Sequence, residues 1–135
     1  MKILVIDAQG GGIGKQIVTR LKARTDTEIY AASPNPAAVS AMKKAGADQA
    51  ACGENAVVYL AGKAQIIVGP MGIVMPNAML GEISPAVAEA VASSDGVKVL
   101  IPFRSEDHVM VGIGTYSMSQ LIDQAVDRTL RLAEN

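Results

Sequence analysis

The start of the chain constrains its fold most, because a short apolar run leads there into a turn of glycines and then into a helical pattern. Residues 3–6 are all aliphatic, as in a strand buried on both faces of a parallel sheet. Four of the five residues at positions 10–14 are glycines, and from Ile13 onwards the apolar residues recur at helical spacing. This order of strand, glycine turn and helix is typical of the phosphate-binding start of a doubly wound α/β fold.

The glycine turn has two interpretations, because its spacing matches none of the standard nucleotide-binding motifs. Gly10, Gly12 and Gly14 give G-x-G-x-G instead of G-x-G-x-x-G. A short-chain dehydrogenase turn would need glycine in place of Ala8, and a Walker A loop would need Ser or Thr in place of Gln16. Either the glycines take positive φ and admit an anion to the amides at the positive end of the helix dipole, or they only pack the helix against the strand.

The rest of the chain alternates strand and helix patterns, which predicts one domain over residues 1–135 with a mostly parallel sheet and helices on both faces. The further predicted strands are residues 27–31, 48–51, 65–69 and 97–101, and the further helices are residues 37–44, 54–61, 84–93 and 116–133. The predicted strand order is 3-2-1-4-5. Residues 108–111 are predicted as a sixth strand, antiparallel at the sheet edge, because a parallel crossover needs about a dozen residues.

Composition and charge argue against some functions and favour others. The net charge is −1 and there is no basic block, which argues against nucleic acid as a partner. Residues 64–81 carry no charge, but their glycines and prolines argue against a membrane span. Cys52 is the only cysteine, so no internal disulfide forms, and a cytoplasmic protein is predicted. The positive mean hydropathy (+0.28) and the charge-free run predict a homo-oligomer.

The predicted topology places a second glycine-bearing loop, residues 69–72, opposite the first at the carboxyl ends of the strands. This loop either lines a ligand crevice or is only a tight turn into a buried segment. We predict that an anionic small molecule binds in the crevice, with a nucleotide or a dinucleotide as a candidate cofactor. The predicted contacts are Asp7, Gln9, Gly10, Gly11, Gly12, Ile13, Gly14, Lys15, Ser33, Gly69, Pro70, Met71 and Gly72.

Several side chains near this crevice could carry chemistry, but none forms a recognisable catalytic set. Asp7 could bind a metal through water; we favour instead a brace that accepts hydrogen bonds from the glycine N–H groups, and no metal site is predicted. Residues 31–35 contain no acid to bind a ribose and no arginine for a 2′-phosphate, which argues against NAD. Tyr116 lacks a lysine four residues later, which argues against a short-chain dehydrogenase. Cys52 is interpreted as a small packed residue and His108 as a surface-turn residue.

Three segments, residues 6–15, 46–56 and 67–85, resemble a bacterial domain-of-unknown-function family of small, single-domain Rossmann-like proteins. The resemblance covers nearly the whole chain, although Ala8 stands where members of that family often have glycine. It implies a Rossmann-like fold and a crevice. It implies no catalytic residues, because the family has no established activity.

Three functions are therefore open. The first is a binding module for a nucleotide or another phosphorylated small molecule at residues 10–14, held mainly by the backbone N–H groups from Gly11 to Lys15 with the Lys15 side chain secondary. The second is a small enzyme acting on a phosphorylated metabolite, for which Asp7, Glu54 and Glu82 are the nearby carboxylates. The third is a homo-oligomeric structural or regulatory protein with no catalytic role.

Overall fold

A computed structural model describes residues 2–103 and 107–134. Within these residues strands and helices alternate along the chain, as the sequence patterns predicted. The elements are β1 (Ile3–Ile6), α1 (Gly12–Lys22), β2 (Ile29–Ser33), α2 (Pro36–Lys44), β3 (Gln49–Cys52), α3 (Glu54–Ala61), β4 (Ile66–Pro70), a 3₁₀ helix (Met71–Val74), α4 (Pro85–Ala92), β5 (Val97–Ile101) and α5 (Met118–Glu134).

The five strands form one parallel sheet in the order β3-β2-β1-β4-β5, which confirms the predicted order. The chain moves to one side of β1 first and then crosses to β4 on the other side, which is the topology of a Rossmann-like fold. The strand order reverses between β1 and β4, and the turn of residues 7–11 follows the carboxyl end of β1 at this point.

Two apolar clusters, one on each face of the sheet, form the core. Ile3 and Val5 of β1 pack with α1, α2 and α5, whereas Leu4 and Ile6 pack with α3 and α4. Every residue of β1 and β4 is buried, because helices cover both faces of these central strands. The prediction of helices on both faces is therefore confirmed.

Side-chain hydrogen bonds cap the starts of two helices. Asn35 caps α2 by accepting a hydrogen bond from the Ala37 N–H at 2.8 Å, and Pro36 follows at the first helical position. Ser117 and Gln120 bond reciprocally before α5, at 2.8 and 3.2 Å, as a capping box does. None of the helices in the described residues is long and apolar enough to cross a membrane.

The predicted sixth strand is wrong. Residues 108–111 have no strand conformation, and the sheet ends at β5 within the part of the chain that the structure describes. Val109 and Val111 are 91% and 98% exposed. Strand propensity alone does not hold a segment at a sheet edge when its apolar side chains find no face to pack on.

The charge-free run of residues 64–81 is buried in its first half and partly exposed in its second. Its first half forms β4, whose residues are all buried at the middle of the sheet. The second half is a 3₁₀ helix followed by turns, in which Asn77, Met79 and Leu80 take positive φ. The buried half of the run needs no second subunit, so its support for the predicted homo-oligomer is limited to the second half, where Leu80 is 96% exposed.

Candidate functional site

The turn between β1 and α1 contains two glycines that the fold itself requires. Gly11 precedes α1 with a φ of +72°, and a Cβ there would lie 2.7 Å from the Cα of Ala38 in α2. Gly14 is helical, and a Cβ there would lie 2.7 Å from the Met42 sulfur and 2.8 Å from the Asp7 Cβ. Both glycines let α1 pack closely, so the packing interpretation of the turn holds for these two positions.

Gly10 and Gly12 have no such explanation. Both are exposed, neither has positive φ, and a Cβ at either position would meet no described atom within 4 Å. The expectation that the glycines of residues 10–14 take positive φ is thus right for Gly11 and wrong for the other three, while the non-glycine Gln9 does take positive φ, at 51°. Gly10 and Gly12 leave open space at the start of α1.

Asp7 stabilises the turn by accepting hydrogen bonds from backbone N–H groups, as predicted. Its carboxylate is only 4% exposed, and its two oxygens accept hydrogen bonds from the Ala8 N–H at 2.8 Å and the Gly14 N–H at 2.6 Å. Burial raises the pKa of the Asp7 carboxyl above its ordinary value, and the charge of Glu82 adds to this, while the bonds from Gly14 and Ala8 act in the opposite direction. Both oxygens are thus already engaged inside the protein.

The backbone N–H groups of the turn divide into engaged and open ones. Besides the Gly14 N–H, the Gly11 N–H donates to the Ala8 carbonyl at 3.1 Å and the Lys15 N–H to the Gly11 carbonyl at 2.8 Å. The N–H groups of Gly10, Gly12 and Ile13 have no partner among the described residues. The predicted amide cradle from Gly11 to Lys15 therefore reduces to Gly12 and Ile13, with Gly10 in addition.

Glu82 connects the first turn to the end of β2. Its Oε1 accepts a hydrogen bond from the Gln9 N–H at 2.8 Å and another from the Asn35 Nδ2 at 3.1 Å. Ser33, a predicted ligand contact, is fully buried, and its Oγ accepts a hydrogen bond from the Asn35 N–H at 3.0 Å. Ser33 therefore shapes the β2–α2 turn and presents no exposed surface to a ligand.

The predicted second loop lies beside the first one, because β4 pairs with β1. Gly69 permits this close approach: a Cβ there would lie 2.2 Å from the Ile6 carbonyl oxygen. At Gly72, a Cβ would lie 2.8 Å from the Met79 Cε. Pro70 is buried and Met71 is half-buried. Gly69 is thus explained by packing against the backbone of β1, which is the second of the two interpretations, whereas at Gly72 the close atom is the end of a flexible methionine side chain.

Comparison with known proteins places the chain in a family. The model of the family described as "Domain of unknown function (DUF3842)" matches residues 2–134. The chain belongs to the DUF3842 family. This confirms the predicted domain-of-unknown-function family. No curated protein and no solved structure is significantly similar to this DUF3842 chain. Its function must therefore be inferred from the site.

Three other candidate residues of this DUF3842 protein belong to other segments of the chain. Cys52 is exposed at the end of β3, so its interpretation as a packed residue is wrong. Glu54 accepts a hydrogen bond from the Ser84 hydroxyl, and His108 is exposed between β5 and α5. Lys15 is exposed on the first turn of α1 and is the basic side chain nearest in sequence to the open amides.

Proposed function

We propose that residues 10–13 bind the phosphate group of a nucleotide or of another phosphorylated small molecule. The observation that carries the proposal is the pair Gly10 and Gly12, which neither backbone strain nor packing accounts for. Both leave open space beside N–H groups that lack a partner among the described residues. An anion there gains about 0.3–1 kcal/mol from the helix dipole, in addition to hydrogen bonds from the N–H groups.

The contact between Glu82 and Gln9 supports the affinity of this turn for anions. A carboxylate oxygen of Glu82 accepts a hydrogen bond at 2.8 Å from the Gln9 N–H, which immediately precedes the open N–H group of Gly10. An anionic oxygen of the chain itself is therefore already bound at the edge of the turn. The same negative charge opposes a second anion, so Glu82 limits the affinity that the open N–H groups can reach.

The surroundings of β2 favour a phosphate compound in general over a dinucleotide. In a dinucleotide-binding fold an acidic residue after this strand holds the ribose hydroxyls. Here Ser33 is buried, and the side chain of Asn35 is already bonded to the Ala37 N–H and to Glu82. No side chain at this position is free to hold a ribose in the way that NAD requires.

Titration of the ¹⁵N-labelled protein with inorganic phosphate, pyrophosphate, AMP and ATP tests the proposal. We expect the amide signals of Gly10, Gly12 and Ile13 to shift most. Gly12→Val should abolish binding, because its side chain fills the open space, while Thr19→Val, which places the same side chain farther along α1, should bind as the wild type does. Lys15→Ala should weaken binding only several-fold, since an exposed ion pair is worth about 0–1 kcal/mol.

Two outcomes would refute the proposal. One is that none of the four compounds at millimolar concentration shifts these amide signals. The other is that Gly12→Val, shown to be folded by circular dichroism, binds as tightly as the wild type. In that case the open glycines would have no role in binding an anion, and the turn would serve only to connect β1 to α1.

A further inference from the structure

The two edges of the sheet differ in how they are protected against pairing with another strand. β5, at one edge, carries Lys98 as its second residue, with the ammonium donating to the Ser94 carbonyl at 2.6 Å, and a lysine is a common feature of protected edge strands. β3, at the other edge, reads Gln-Ala-Ala-Cys, with no charge and no proline. Each of its four residues is exposed or half-buried. β3 is therefore an open edge strand of the kind that accepts a further strand.

The parallel pairing of β3 with β2 fixes which backbone groups face outward. Successive residues of a strand in a parallel pair direct their N–H and C=O groups alternately to one side and the other. The Gly53 N–H donates to the Ser33 carbonyl at 2.9 Å, so Gly53, Ala51 and Gln49 face β2. Ala50 and Cys52 consequently direct their N–H and C=O groups away from the sheet. The edge offers two donors and two acceptors in a regular array.

A second copy of the same strand, running antiparallel, complements this array. In an antiparallel pair, two outward-facing residues placed opposite each other exchange two hydrogen bonds. If Ala50 of each copy lies opposite Cys52 of the other, all the outward groups are used and four hydrogen bonds form. Ala51 then lies opposite itself on the two-fold axis. Shifting the register by two residues in either direction would leave some of these groups unpaired.

Apolar grooves flank β3 on both faces of the sheet. The groove on the α3 side has a volume of about 570 Å³ and is lined by Tyr30, Tyr59 and Leu60, and the Tyr59 side chain is 61% exposed. The groove on the α2 side has a volume of about 510 Å³ and is lined by Val39 and by Lys43. An added strand places alternate side chains into two such grooves, which is how strand addition obtains its specificity.

The charges around the edge suit a two-fold partner. The axis of an antiparallel pair is perpendicular to the sheet, so α3 of both copies lies on the same face and the two helices run in opposite directions. Glu54 begins α3 and Lys63 follows its end, and both are exposed. Pairing thus places the acidic start of α3 in each copy at the same end of the joined sheet as the basic end of α3 in the other copy. On the opposite face, Lys43 and Lys44 meet the uncharged start of α2 at Pro36.

We infer that two copies of this chain form a symmetric dimer by antiparallel pairing of β3, with Ala51 on the axis, so that the two sheets become one continuous ten-stranded sheet. This inference uses a different surface from the anion-binding turn and does not depend on the proposed function. It also gives a reason to expect a homo-oligomer that does not depend on the charge-free residues 64–81, whose first half is buried in the sheet.

Light scattering and sedimentation across dilution test the dimer itself. The wild type should have twice the chain mass of 14.0 kDa and dissociate on dilution. Ala51→Lys and Ala51→Glu each place like charges opposite one another on the axis and should be monomeric alone. Mixed in equal amounts, they should form a heterodimer. A wild type that stays monomeric at millimolar concentration would overturn the inference, as would an Ala51→Lys variant that remains dimeric.

Disulfide crosslinking tests the register. Directly opposed residues of a non-hydrogen-bonded antiparallel pair have Cα atoms about 4.5 Å apart, within the range that a disulfide spans. In a Cys52→Ser background, Ala51→Cys should form a covalent dimer on mild oxidation. The matched control is Ala50→Cys in the same background, which places the two thiols diagonally and should crosslink far more slowly. Equal crosslinking of the two variants, or crosslinking of the control alone, would refute the register.

Discussion

Two alanine substitutions in the same turn should have opposite effects on stability, because only one of the two glycines is packed against neighbours. At Gly14 the new methyl group would lie 2.7 Å from the sulfur of Met42 and 2.8 Å from the Cβ of Asp7. Both neighbours are buried, and the Asp7 Cβ cannot move without disturbing the two hydrogen bonds of its carboxylate. At Gly12 the methyl group would meet nothing within 4 Å.

The magnitudes follow from these contacts. Alanine in place of a helical glycine gains up to about 1 kcal/mol at either position. At Gly14 that gain is outweighed by overpacking of about 1–3 kcal/mol and by weakening of the 2.6 Å bond to Asp7, since hydrogen bonds to charged groups are worth about 1.5–3 kcal/mol. Gly14→Ala should therefore lower the free energy of unfolding by about 1–4 kcal/mol. Gly12→Ala should raise it by about 0–1 kcal/mol.

Urea denaturation followed by circular dichroism measures both variants on one scale, and it suits a chain without tryptophan. The slope of the free energy with urea should stay unchanged, so that the difference in midpoint reports stability alone. If Gly14→Ala proves as stable as Gly12→Ala, then the close contact between α1, Met42 and Asp7 does not exist as described. The distinction between packed and open glycines in this turn would then also be refuted.

Two further predictions concern the carboxylates of the turn. Burial raises the pKa of Asp7 above 3.8 in the folded state, so the stability of the wild type relative to Asp7→Asn should be greatest below pH 3.8 and be lost as the pH rises through the folded pKa. Urea midpoints of both proteins between pH 3.5 and 7 measure this difference. A relative stability that grows with pH would mean that the hydrogen bonds to the carboxylate outweigh its burial. Glu82→Gln should bind phosphate several-fold more tightly than the wild type, because the substitution removes a negative charge beside the open N–H groups. Isothermal titration calorimetry measures this, and Glu89→Gln on α4 is the control that should leave the affinity unchanged. Weaker binding by Glu82→Gln would show that the carboxylate assists the ligand.

The fold was predictable because its signals are local. The aliphatic run of β1, the cap at Asn35 and the alternation of strands with helices are each contained in a few neighbouring residues, and crossover handedness then leaves few possible strand orders. The predicted sixth strand at residues 108–111 failed because sheet pairing at an edge is not local. It depends on a face that buries Val109 and Val111, and the sequence of the segment itself contains no information on that face.

The candidate site was predictable in position but not in composition, and the reason is distance along the chain. The glycines of residues 10–14 are alike in sequence, yet Gly11 and Gly14 are distinguished from Gly10 and Gly12 largely by contacts with Ala38 and Met42, which come from another helix. Glu82, which occupies the Gln9 N–H, lies 73 residues away in the chain. The glycine-rich turn thus contains two kinds of glycine: those that let the helix pack closely and those that leave open space beside its first N–H groups. The glycines left unexplained by packing are the ones whose substitution tests binding separately from folding.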